Sequence, residues 1–145
     1  MPRLLPHYAL LAVLGLLTGV NGGASAQAVP SCYPDTAART SMTRRVTRVA
    51  TAPSTNTEML EARTKLQIPA VDATSVTIVT SSSTCLSAAK AVSSRLGRTP
   101  PGGRSVVVVK VGTVYVVKDP LEKAGEFTRG FVFDSKWRFR SGYLD

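Results

Sequence analysis

Residues 105–118 read Ser-Val-Val-Val-Val-Lys-Val-Gly-Thr-Val-Tyr-Val-Val-Lys. Two β-branched runs around a glycine predict a hairpin, with strands over Ser105–Lys110 and Thr113–Lys118 and a short turn at Val111-Gly112. A strand with one wet face alternates apolar and polar residues. Here Val106 to Val109 and Val114 to Val117 are apolar at odd and even positions alike, so a register slip of one residue would make neither face polar. Both faces must be covered, and the hairpin belongs in the middle of a sheet.

Toward the C-terminus, Asp119-Pro120 ends the second strand and a charged connection follows. Phe127–Phe133 and Trp137–Ser141 then predict a second hairpin around Asp134-Ser135-Lys136. That loop sets Phe133 opposite Trp137 and Phe131 opposite Phe139, with all four aromatics on one face. Cross-strand aromatic pairs are ordinary core, and a ligand-binding shelf is the alternative. Gly130, Val132, Arg138 and Arg140 take the other face.

Toward the N-terminus, Pro100-Pro101-Gly102-Gly103 punctuates a loop. Its glycines lead into a strand, whereas a phosphate-cradling loop needs glycines leading into a helix. The clearest helix precedes it, capped by the Ser81-Ser82-Ser83 run and closed by Gly97. Cys85, Ala88, Ala89, Val92 and Leu96 form its apolar stripe. Ser75–Thr80 reads as a strand. An earlier helix starts at a Thr55/Glu58 capping box, shows Met59, Ala62 and Leu66 on one face, and is ended by Pro69. Residues 41–50 have no clear period: Val46 and Val49 suit a helix, while the Thr and Val content tilts the reading to a strand. Residues 27–40 read as irregular.

At the start of the chain, Arg3, the apolar run Tyr8–Val20 and Ala24-Ser25-Ala26 have the three parts of a secretory signal peptide, with cleavage expected after Ala26 and Ala28 as second choice. A membrane span needs about 20 apolar residues. The run from Leu4 to Val20 is 17 residues long, is interrupted by Pro6 and His7, and stops at Asn21-Gly22-Gly23. The expected organisation is a leader over 1–26, an irregular segment over 27–54 and a folded unit over 55–145. The fold class is α+β: a small single domain, mainly an antiparallel sheet of four to five strands with two C-terminal hairpins, packed with two helices.

Cleavage would remove the only histidine, His7, and with it the Ser-His-Asp, Cys-His and histidine-zinc chemistries. The two cysteines, Cys32 and Cys85, make one disulfide the simplest expectation for an exported chain. There is no C-x-x-C, and no partner that would activate either thiol. Ser87-Ala88-Ala89-Lys90 matches an S-x-x-K spacing by chance, without its companion motifs. Asp119, Glu122 and Glu126 are the nearest carboxylate trio, but with Lys118 and Lys123 beside them they read as solvated loop charge.

Loss of Arg3 leaves 17 basic residues against 9 acidic ones, a balance of +8. No acid lies between Asp35 and Glu58, where Arg39, Arg44, Arg45 and Arg48 fall. These four, with Arg138 and Arg140, are the candidate anion-binding residues; ordinary solvated charge is the plainer explanation. The functional expectation is an exported, non-catalytic binding or interaction module, in the periplasm or outside the cell. Its partners would be anionic envelope components or a protein, with no specific nucleic acid. No cofactor, metal or catalytic residue is expected, and the mature chain holds no transmembrane segment. The alternative is an enzyme with a histidine-free site.

Overall fold

The computed structural model describes residues 32, 35–100 and 105–145. The leader, its cleavage point and the tip of the Pro-Gly loop lie outside the described residues. The valine hairpin sits at the centre of a five-stranded antiparallel sheet of order β1-β2-β3-β4-β5, formed by Val76–Ile78, Val108–Val111, Val114–Lys118, Gly130–Phe133 and Phe139–Gly142. Three helices cover it: α1 (Thr36–Ala50), α2 (Thr57–Lys65) and α3 (Ser82–Leu96). Val107, Val109, Val111, Val114, Val116 and Val132 point to a core shared with Ala38, Met42, Val46 and Val49 of α1. Val106, Val108, Val117 and Phe133 point the other way, onto Ala88, Ala89 and Val92 of α3. Both faces are therefore dry, as the lack of alternation requires. Full burial of each valine contributes about 1.5–3 kcal/mol relative to leaving it in water.

The hairpin register differs from the sequence expectation by one turn position. Val111 pairs with Val114, so the two-residue loop is Gly112-Thr113 rather than Val111-Gly112. Gly112 has φ +55°, at the first central position where a type II′ turn calls for glycine. The shift keeps every side chain on its face and gains the extra valine pair.

The segment expected to be irregular chain and then strand is α1. Asp35 caps it, accepting hydrogen bonds from Ala37 N (2.8 Å) and Ala38 N (3.3 Å). Ala38, Met42, Val46 and Val49 recur at helical spacing, and all four are buried. The β-branched residues pointed to a strand, but that apolar stripe over the sheet decides the outcome. In α2 the cap is Asn56, whose Oδ1 accepts from Met59 N (3.1 Å), in place of the Thr55/Glu58 box. Asparagine is the stronger N-cap residue. Helix α3 is as expected: Ser81 caps it through Thr84 N, and Gly97 closes it at φ +68°. Cys85 in its first turn is bonded to Cys32, with 5.5 Å between Cα atoms. The bond closes 53 residues of separation, worth about 4 kcal/mol in the chain-entropy model.

The last hairpin also shifts by one. Its loop is Ser135-Lys136-Trp137, with Asp134 N–H donating to Arg138 O and Trp137 N–H to Asp134 O, both at 3.0 Å. Phe133 therefore pairs with Phe139, Phe131 with Gly142, and Arg140 is the extra residue of a bulge. Trp137 takes φ +60°, a left-handed position where glycine is usual. Its ring lies flat on Tyr115, centroids 4.5 Å apart and planes 9° from parallel.

Gln67 occupies a second left-handed position, φ 54°, just past α2. Ile68 N–H reaches back to Arg63 O at 3.1 Å, the pairing of a Schellman close. Gln67→Gly should therefore stabilise the domain by about 0.5 kcal/mol, read as a raised urea midpoint at unchanged m, because the relief of φ strain exceeds the entropy glycine adds to the unfolded chain together with the loss of one exposed hydrogen bond from Arg140.

Candidate functional site

Once the apolar stripe of α1 is laid on the sheet, the adjoining stripe faces sideways. Ala37, Thr40, Ser41, Arg44, Arg45 and Arg48 line one wall of a groove of about 1100 Å³. The other wall is α2, with Glu58, Glu61 and Lys65. Val49, Met59, Ala62 and Leu144 make an apolar floor. Arg63 fixes the angle between the helices by donating to Ala50 O (3.3 Å) and Ala52 O (3.1 Å) at the end of α1.

The arginines singled out from the sequence are thus divided among several places. Arg44, Arg45 and Arg48 come together in the groove. Arg45 is partly committed, donating to Phe127 O (3.4 Å) and lying 3.9 Å from the Asp145 carboxylate. Arg44 and Arg48 are exposed, with no carboxylate within ion-pair distance among the described residues. Arg39 lies on α1 outside the groove lining. Arg138 is in the last loop, where its Nε donates to Asp134 Oδ2 at 2.7 Å. Arg140 leans to the α2 side, its Nε donating to Gln67 Oε1 at 3.2 Å. The Asp134 carboxyl is held below the usual carboxylate value, first by the Arg138 backbone N–H.

The aromatic face expected from the sequence is largely interior. Phe133 is buried, Phe131 and Trp137 are half-buried against the α3 core, and only Phe139 is exposed. The Arg95 guanidinium lies 4.0 Å from the Phe139 ring centroid. A cation over an aromatic face explains that exposure without a ligand.

The charged connection after β3 is solvated only in part. Lys118, Asp119 and Glu122 are buried, while Glu126 is exposed. Lys118 Nζ donates to Lys123 O (3.1 Å) and Glu122 O (3.3 Å) and lies 3.7 Å from Glu122 Oε2. Glu122 Oε1 accepts from Thr128 N (2.6 Å), from the Thr128 hydroxyl and from Arg129 N. Asp119 Oδ1 takes Leu121 N at 2.9 Å, and its Oδ2 lies 3.7 Å from Arg129 Nε. Both buried carboxylates, Asp119 and Glu122, are spent on folding the loop back, so the cluster is a staple. Desolvation pushes the Lys118 ammonium down, with Glu122 and Asp119 opposing it. Burial alone would raise Glu122, but the Thr128 and Arg129 hydrogen bonds and Lys118 outweigh it and hold the carboxyl below its usual value. Ser87, the other chemical candidate, donates to Ser83 O at 3.1 Å along its own helix.

Helical spacing of the groove stripe was the available signal for this site, and it depends on reading 36–50 as a helix. The buried loop charges carried no sequence signal, since their burial comes from how the loop folds back over β3. Comparisons with protein-family models, with curated proteins and with solved structures found no match.

Glu122→Gln should cost about 3 kcal/mol, because it takes the nearest carboxylate from buried Lys118 and leaves only Asp119 to oppose its desolvation. A depressed folded pKa contributes stability that is present above the unfolded value and lost as pH falls through the folded one. The wild-type melting temperature should therefore drop as pH is lowered below 4.5, the group's ordinary value, and the variant should show a shallower drop in the same calorimetric series.

Proposed function

We propose that this chain is a small exported, non-catalytic binding module that works through the α1–α2 face, with Arg44, Arg45 and Arg48 drawing in anionic groups of the cell envelope or medium. The observation that carries the reading is the gathering of these three arginines along one groove with an apolar floor. Two of them have no described carboxylate to neutralise them. Field from a mature chain of formal charge +8 adds to their attraction. The absence of any histidine after His7 supports a binding role over hydrolytic chemistry. Export is supported by the leader pattern and is compatible with the Cys32–Cys85 bond; among the described residues no helix is long and apolar enough to cross a membrane.

Heparin and anionic vesicles should bind the mature protein weakly, and binding should fall steeply with salt, since screening acts over about 8 Å at physiological ionic strength. Arg44→Glu with Arg48→Glu should weaken heparin binding about ten-fold, or about 1.4 kcal/mol. Arg138→Glu with Arg140→Glu should change it less, because Arg138 is already paired with Asp134. Salt-insensitive binding, or equal losses in the two variants, would overturn the assignment to α1.

The export half of the proposal is tested by intact-mass measurement of protein recovered from its host. The expected mass lacks Met1 to Ala26 and two hydrogens for the disulfide. A mass retaining the leader contradicts it.

A further inference from the structure

Helix α2 is nine residues long and has no buried residue. Isolated helices of that length are marginal in water and owe their stability to packing. Met59, Leu60 and Ala62 are only half-covered, so α2 holds its place through the edge contacts of Met59 and Ala62 with the core and through Arg63 at the end of α1. The groove beside it is thus lined on one side by an under-packed helix.

The charges around that groove narrow what can cover it. Its α1 wall carries Arg44, Arg45 and Arg48, while its α2 wall carries Glu58 and Glu61, with Lys65 one turn beyond and Asp145 at the end. Four positive side chains against three negative ones make the groove nearly neutral, on a chain whose formal charge is +9. A polyanion is drawn to the α1 wall alone and held weakly, since Glu58 and Glu61 oppose it on the other side. A uniformly cationic partner would meet repulsion from α1. The surface that complements a basic wall beside an acidic wall is the same pair of walls rotated by 180°.

We infer that the α1–α2 face takes a second copy of this chain across a two-fold axis, so that the arginines of each copy lie against Glu58 and Glu61 of the other. The exposed charged walls of α1 and α2 make the contact, and the half-exposed Met59 and Ala62 of each copy lie beneath it, in an arrangement isologous as two-fold interfaces are. Helix α1 spans about 22 Å, and two helices side by side are about 20 Å across. Helix α2 is shorter, about 14 Å, so the two helices present about 350 Å² per copy, under half of a standard stable interface, and the dimer is a weak and reversible one. The inference rests on this face being the interaction surface, as proposed above. Heparin, which needs the same arginines, competes with the dimer.

Charge exchange tests this directly, by sedimentation equilibrium from about 1 µM to about 1 mM, a range that brackets weak association. Wild-type protein should shift from monomer to dimer and shift back as salt is added. Arg44→Glu with Arg48→Glu should weaken the dimer at least ten-fold, as should Glu58→Lys with Glu61→Lys. All four residues are exposed, and circular dichroism should show each variant folded. An equimolar mixture of the two variants should restore the dimer, because each reversed wall then meets its opposite. A wild-type chain that stays monomeric throughout overturns the inference, as does a mixture that stays monomeric. Salt-sensitive heparin binding by a monomer would leave the binding-module reading standing without the dimer. A dimer that persists in the absence of heparin binding would do the reverse.

Discussion

The constraint on which the rest depends is the absence of a wet face on the β2–β3 hairpin. Val107, Val109, Val114 and Val116 must leave water on one side, and Val106, Val108 and Val117 on the other. A sheet with that demand at its centre requires helices in two layers. The chain meets it by laying α1 on one face before β1 and α3 on the other between β1 and β2. The Cys32–Cys85 bond then ties the approach to α1 to the first turn of α3. Placement of the groove follows from the same demand: α1 must turn its apolar stripe to the valines, and this leaves its arginine stripe facing sideways toward α2.

Much of this was legible in residue patterns. The valine runs, the stripe of α3 with its serine cap and closing glycine, and the disulfide could all be read because each is local or needs only parity. Where the reading failed, a contact distant in sequence settled the matter. Thr and Val in 41–50 favour strand locally, yet Met42 and Val46 are buried completely once α1 lies over the sheet. Asp134-Ser135-Lys136 resembles a loop, yet the real loop includes Trp137 because Tyr115, on another strand, gives its ring a flat surface. The groove was half legible: its arginines stood out by charge, but their convergence with α2 depends on a helix that the pattern did not suggest.

Buried and exposed charge divide the labour in this domain. Lys118 and Glu122 are consumed in holding a loop, each against several backbone groups, and Asp119 is held by Leu121 N and the Arg129 side chain. Such a pair is an insecure source of net stability, since apolar residues of similar volume often do as well. What it supplies is a single path for residues 119–129, and so the position of Phe127, whose carbonyl receives Arg45. The interior staple and the groove wall are linked through that one carbonyl.

The chain has one tryptophan. It stacks on Tyr115 and lies on the opposite side of the sheet from the α1–α2 groove. Indole emission is therefore a local gauge of the last hairpin: it reports loss of the Tyr115 stack during unfolding and is insulated by a layer of valines from events at the groove. Fluorescence will follow the folding of this domain and stay silent about what docks on it.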